Sequence, residues 1–263
     1  MITVRDIEQF LYDWAPPETA ESWDNVGLLV GRPDRPVRRV LVALDVTPAV
    51  AAEAAELGAG LIVAHHPVMN VRWHEQELQT LREDTRLGGL LTYLVRHDLS
   101  AICMHTNLDA AEGGVNDCLA QKLGLSGTIP LNEQKIGRIG TLSCEIPLEQ
   151  FLHDVVKSLG CRGLRYRSGG RPVRRVAVGG GACGEYIPQA LAQGCDTFVT
   201  SDLRYNDFLD TQGLNLIDAG HFPTEDVVCA EVVRRLQKAF PDIRVSKSAV
   251  HHDAVQYYMT EGE

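Results

Sequence analysis

Two successive histidines end an apolar run, in Leu61-Ile62-Val63-Ala64-His65-His66-Pro67. Imidazole nitrogen binds Zn, Mn or Fe, and α/β proteins hold ligands at the carboxyl ends of parallel strands. Neighbouring strand side chains point to opposite faces, so the pair clamps one ion poorly. At a strand end turned by Pro67 the rings diverge, and each reaches a different ion. The ordinary alternative is a pair of solvated or capping histidines.

The next strand ends in His105-Thr106-Asn107-Leu108-Asp109. Asp109 is the first carboxylate past that end, and a mixed imidazole–carboxylate set suits a divalent metal. Asp109 alone also reads as a helix cap. His105 reads as a buried, hydrogen-bonded neighbour of the ligands. A third segment, Asp218-Ala219-Gly220-His221-Phe222-Pro223-Thr224-Glu225, brackets a strand-to-helix turn with His221 and Glu225. Glu225 falls in the first turn of a helix expected from Thr224, where the dipole also favours a carboxylate.

Gly179-Gly180-Gly181-Ala182-Cys183-Gly184 contains GxGxxG between a strand and a helix, with Asp202 past the next strand. That is the layout of a dinucleotide fingerprint. Gly180 and Gly181, with Asp202, also suit a substrate phosphate at a helix N-terminus; a plain tight turn is the third reading. His251-His252-Asp253 reads as a surface or edge-strand segment.

These residues need a frame. Thr3 with Asp6 caps a first helix, striped by Ile7, Phe10, Leu11 and Trp14 and ended by Pro16-Pro17. Strands are expected at 37–46, 61–64, 101–105, 141–146, 173–178, 197–200 and 214–218. Helices are expected at 48–57, 75–95 (weak at Gly88-Gly89), 115–123, 148–159 and 185–192, with a short one around Phe208 and a long one from Thr224. The stretch 124–140 reads as loop. Strand–helix alternation means α/β with mainly parallel strands.

The chain also repeats itself. Val37-Arg38-Arg39-Val40 recurs as Val173-Arg174-Arg175-Val176, an offset of 136 residues. The same offset carries Ala54 onto Ala190, Gly58 onto Gly194, Val63 onto Val199 and His66 onto Asp202. A fixed, gapless spacing indicates two related βαβ units. The expected architecture is two similar α/β domains, residues 1–128 and 129–263, with the C-terminal segment packing back on the first. A centre using ligands from both halves belongs in the cleft between them, a usual place for a small-molecule site.

Composition narrows the function classes. The 263 residues carry 25 Lys+Arg against 35 Asp+Glu, a formal charge of −10. That balance argues against binding nucleic acid or an anionic membrane. No apolar run reaches the roughly 18 residues of a membrane span, and the N-terminus lacks a signal h-region. Seven cysteines without a CxxC pair suit a reducing cytoplasm and buried, inert thiols.

Taken in order, Ser22-Trp23-Asp24-Asn25-Val26-Gly27-Leu28, Ala43-Leu44-Asp45-Val46-Thr47, the HHP, HTNLD and VGGGxG segments and GHxxxE resemble the type 2 GTP cyclohydrolase I homologues, also called the NIF-three-like family. The resemblance runs from about Ile7 to Leu236. It implies two similar α/β domains around a dinuclear metal centre, with His65, His66, Asp109, His221 and Glu225 as ligands of two divalent ions (Zn, Fe or Mn). It further implies a homohexameric ring and a small-molecule substrate, a nucleotide in the family's named activity. That activity opens the GTP imidazole ring and releases formate, with His105 as a proton shuttle. A two-metal phosphoester hydrolase and a non-enzymatic metal carrier are the competing readings. The chain matches the short form, without the domain inserted in longer members. Asn206 stands where many members have His, so no proton-transfer role carries over there.

Overall fold

The computed structural model describes residues 1–69 and 80–258. The chain begins with α1 (Val4–Trp14), β1 (Gly27–Val30), β2 (Arg39–Ala43), α2 (Pro48–Glu56), β3 (Leu61–Ala64), α3 (Arg86–Arg96), β4 (Ser100–Cys103) and α4 (Thr106–Ala110). It continues with α5 (Val115–Lys122), β5 (Ser126–Pro130), β6 (Arg138–Ile146), α6 (Leu148–Leu159), β7 (Arg165–Arg167) and β8 (Val173–Val178). The last part holds α7 (Ile187–Ala192), β9 (Thr197–Thr200), α8 (Tyr205–Asp210), β10 (Asn215–Asp218), α9 (His221–Glu225), α10 (Val227–Ala239) and β11 (Arg244–Lys247). No helix among the described residues is long and apolar enough to cross a membrane.

Two compact α/β units result. The first comprises Met1–Gly114 with Val228–His251. Its sheet has the order β1-β4-β3-β2-β11, parallel throughout except for the antiparallel edge strand β1. All four residues of β3 are buried, as a central parallel strand covered on both faces requires. Val50, Ala51 and Ala54 of α2 and Leu90 and Leu94 of α3 pack on Leu41, Ile62 and Ala101. The start of α1 is fixed as the sequence predicts: the Thr3 amide donates to Asp6 at 2.8 Å, and the Asp6 amide donates to Thr3 Oγ1 at 3.3 Å.

The second unit comprises Val115–Val227 with the segment from His252. Its sheet has the order β5-β6-β8-β9-β10-β7; β8, β9 and β10 run parallel, and β5, β6 and β7 pair antiparallel. The internal repeat is real in three dimensions. Val40 pairs with Leu61 across β2–β3, and Val176 pairs with Thr197 across β8–β9, the same positions shifted by the repeat.

The structure departs from the sequence reading in several places. The units divide at Gly114/Val115 rather than 128/129, because Leu119, Ala120 and Leu123 of α5 join the core of Phe151, Val155, Val176 and Val178. Three edge strands, β1, β7 and β11, carry too little apolar periodicity to be expected. The stretch 124–140 holds β5 and the start of β6. Helix α3 begins only at Arg86, capped by the Thr85 hydroxyl, which accepts from the Gly88 amide at 3.1 Å. Gly88 and Gly89 lie in its first turns, where a Cβ on Gly88 would stand 2.2 Å from the Arg82 carbonyl. The first residues of the helix expected at 75–95, through 79, lie outside the described residues. The helix expected from Thr224 is two helices. Thr224 does not cap; its hydroxyl lies 2.9 Å from both the Gly220 and His221 carbonyls, inside α9. Glu225 therefore ends α9 instead of opening a helix.

One ion pair in the second unit has a measurable role. Arg138, 5% exposed, donates from Nε and Nη2 to the two Asp117 oxygens at 2.8 and 3.0 Å. Its Nη1 donates to the Lys135 and Gly137 carbonyls. Removing one partner strands the other's charge, which costs about 3 kcal/mol or more for a largely buried pair. Arg138→Ala is expected to lose about that much in urea unfolding; a loss under about 1 kcal/mol, the range of surface pairs, would refute the structural role.

Candidate functional site

Strands β2, β3 and β4 end side by side: Ala43 pairs with Ala64, and Ala64 with Cys103. The residues just past these ends, Asp45, His65, His66 and His105, therefore leave the sheet at its carboxyl end. The amides of His65 and His66 both donate to the Leu44 carbonyl, at 3.1 and 2.9 Å. These two hydrogen bonds to one acceptor turn the chain out of strand alternation, and the adjacent rings come together. Their centroids lie 5.0 Å apart, and the His105 ring is 5.2 and 5.6 Å from them. One ligand nitrogen from each ring falls within 4.8 Å of the others.

Each ring is oriented through Nδ1. His65, 2% exposed, has Nδ1 at 2.8 Å from the Met104 carbonyl. A carbonyl only accepts, so His65 Nδ1 carries a proton and donates it. Its Nε2 faces Asp109 Oδ1 at 3.8 Å. His66 Nδ1 donates to Asp45 Oδ1 at 2.7 Å, and His105 Nδ1 donates to Asp24 Oδ1 at 2.8 Å. Metal-binding histidines are typically held this way, with the second nitrogen on a carboxylate or carbonyl. Asp24 also accepts from the Thr106 amide and hydroxyl. Burial pushes its carboxyl up, but His105 and Thr106 outweigh that and hold it at about 2. Burial likewise opposes charge on Asp45, and its two histidine partners hold it well below the carboxylate range.

The second unit carries its own set. His221 opens α9, and Glu225, one turn on, is 4% exposed. His221 Nδ1 meets Asp202 Oδ2 at 2.5 Å, and Nε2 lies 3.0 Å from Glu225 Oε2. Burial disfavours the imidazolium, yet these two carboxylates push His221 up to about 11. An imidazole set between two carboxylates also offers the mixed nitrogen and oxygen donors that a divalent cation takes. Asp202 sits at φ +55°, a left-handed conformation uncommon outside glycine.

The glycine loop completes this half. A Cβ on Gly181 would stand 2.1 Å from Glu225 Oε1, and one on Gly180 would stand 2.7 Å from Val115 Cγ1. The glycines leave room for the Glu225 carboxylate. Their amides are committed within the protein: Gly179 to the Val199 carbonyl, Gly180 to Asn116 Oδ1 at 2.9 Å, and Gly181 to Thr224 Oγ1 at 3.1 Å. A phosphate or dinucleotide cradle directs such N–H groups at its ligand, whereas here these three bond within the protein. Asp202 serves as the hydrogen-bond partner of His221.

Within the first unit the fold brings His65, His66, His105 and Asp109 together; within the second it joins His221, Glu225 and Asp202. Three participants were not singled out as site residues from sequence: Asp24, Asp45 and His251. Asp24 and Asp45 lie in the quoted motifs, and Asp45 follows a strand end as His65 does. His251, expected at the surface, is half-buried with Nε2 at 2.9 Å from Asp45 Oδ2. Five of the seven thiols are buried, Cys118 is half-buried and Cys144 is exposed; burial pushes Cys103 up to about 12 and Cys161 and Cys195 to about 11.

Residues 2–254 match the family model described as Duf34/NIF3 (NGG1p interacting factor 3). A Clostridium perfringens protein named GTP cyclohydrolase 1 type 2 homolog is 32% identical over 244 residues, covering 89% of this chain and 91% of its own. A Streptomyces coelicolor protein of the same name is 34% identical over 224 residues, covering 80% and 77%. A Bacillus cereus protein related to NIF3 superposes with a TM-score of 0.90 at 26% identity, covering 98% and 99% of the two chains. A Staphylococcus aureus hypothetical protein superposes at 0.89 with 30% identity, covering 97% and 99%. With a family model matching almost the whole chain and relatives above 30% identity over most of it, the chain belongs to the Duf34/NIF3 (NGG1p interacting factor 3) family.

Proposed function

We propose that this protein is a metal-dependent hydrolase binding two divalent ions per subunit, with His65, His66, Asp109, His221 and Glu225 as ligands. One observation carries the reading: His65, His66, His105 and His221 all have Nδ1 engaged by a carbonyl or carboxylate, and the Nε2 atoms of His65 and His221 each face a carboxylate, Asp109 and Glu225. The space that Gly181 leaves for Glu225 supports it. When bound, a pair of divalent ions supplies Lewis acidity and a nucleophilic water at neutral pH. Asp45 and Asp202 hold His66 and His221 in register for binding. His105, fixed through Nδ1 by Asp24, moves a proton at Nε2. The names of the relatives support GTP as substrate, with one water adding at C8 and opening the imidazole ring to a formamide, and a second water cleaving that amide to release formate. Assembly into a homohexameric ring belongs to the same proposal, and sedimentation at about six times the 28.9 kDa chain mass is expected.

The test loads metal-stripped protein with Zn, Mn or Fe(II) and follows formate release from excess GTP beside a panel of phosphoesters. Multiple turnovers of GTP, lost in His105→Ala, support the reading. Turnover of phosphoesters alone replaces the substrate assignment. Exchangeable metal without any turnover replaces the enzyme by a metal carrier.

A further inference from the structure

We propose that His251, near the far end of the chain, is a positioning residue for His66 and acts through Asp45. Asp45 bridges the two rings with one oxygen each: Oδ1 lies 2.7 Å from His66 Nδ1, and Oδ2 lies 2.9 Å from His251 Nε2. The Asp45 amide nitrogen is also 3.2 Å from that Nε2. Nε2 cannot donate to the carboxylate and accept from the amide at once. A lone pair set against a carboxylate oxygen at 2.9 Å would repel it, so the proton sits on Nε2 and points to Oδ2.

Asp45 needs this second partner. Its side chain is 40% exposed, so a carboxylate held only by His66 would rotate and share its oxygens with water. The His251 ring, whose side chain is 8% exposed, holds one oxygen and leaves the other for His66.

The segment that delivers His251 is anchored at each step. β11 pairs parallel to β2 up to Lys247↔Val42, and the Ser248 amide continues the ladder to the Val42 carbonyl at 2.8 Å. Ser248 Oγ donates to Glu53 of α2, and the Ala249 amide donates to Glu53 Oε1 at 2.8 Å. The same hydroxyl accepts from the amides of Val250 and His251 at 3.3 and 3.2 Å. This serine turn bends the chain and sets His251 against Asp45. The tail is therefore part of the site's support in this chain.

The metal readout below rests on the proposed ligand role of His66, whereas the tautomer readout does not. In metal-free protein, nitrogen NMR of the His66 ring reports where its proton sits. Wild type is expected to show the Nδ1–H form. His251→Ala is expected to shift His66 toward a tautomer mixture and to weaken Zn binding about 10-fold or more, the usual cost of losing an outer partner. His251→Gln, which keeps an N–H at a similar reach, is expected to restore both. In an Asp45→Asn background, His251→Ala should add nothing further. An unchanged His66 tautomer in His251→Ala, or an undiminished loss in the Asp45→Asn background, overturns the proposal. If wild type binds no metal, the ligand assignment fails while the NMR result still decides the role of His251.

Discussion

His65→Ala and Asp109→Ala are each expected to cut bound divalent metal from about two ions per subunit to one or fewer, with the fold intact. Both side chains are buried, at 2% and 7% exposure, in the stretch where β3 and β4 leave the sheet. A buried polar pair at strand ends costs desolvation and adds little to the core of Leu41, Ile62, Leu90 and Leu94. Their removal should thus spare folding more than metal. Elemental analysis after reloading measures the stoichiometry, and circular dichroism checks the fold. Undiminished binding in both variants would remove the first set from the centre. Metal bound to the native state as proposed above, at a free concentration 100 times Kd, would stabilise it by about 2.7 kcal/mol. Chelation should lower the melting temperature accordingly and raise hydrogen exchange at Ala64–Met69 and Asp218–Asp226. Uniform exchange changes along the chain would count against both sets as ligands.

The second large effect is expected of Gly181→Ala. The added methyl would sit 2.1 Å from Glu225 Oε1, and the residue lies at φ +68°. Glu225 has little room to yield, since it is 4% exposed and its other oxygen meets His221 at 3.0 Å. Left-handed strain and overpacking each cost about 1–3 kcal/mol, so a loss of about 3 kcal/mol in denaturant unfolding is expected, together with weaker metal binding. Gly194→Ala is the control: it lies at φ +72° with nothing within 4 Å of the added methyl. It carries the strain without the clash and should cost about 1 kcal/mol while leaving metal binding unchanged. Equal effects of the two substitutions would mean that Gly181 serves its turn and not the Glu225 carboxylate.

The sequence by itself determined the elements whose cause is local. Leu61–Ala64 is apolar at every position, which only a strand buried on both faces tolerates at that length. Thr3 and Asp6 cap each other within one turn. The gapless repeat required two copies of one strand–helix–strand unit. His65, His66, Asp109, His221 and Glu225 were legible as candidates because each closely follows a strand end. Tertiary structure decided how those candidates are held. Asp45 reaches His66 across 21 residues, Asp24 reaches His105 across 81, and His251 reaches Asp45 across 206. Such partners depend on strand register and on where β11 adds to the sheet, which no local pattern encodes. The glycine loop makes the same point. Its spacing is identical whether its amides face a phosphate or the protein, and only the folded chain shows Asn116 and Thr224 occupying them. A hydrogen bond is set by the position of both partners, and a sequence motif specifies one of them.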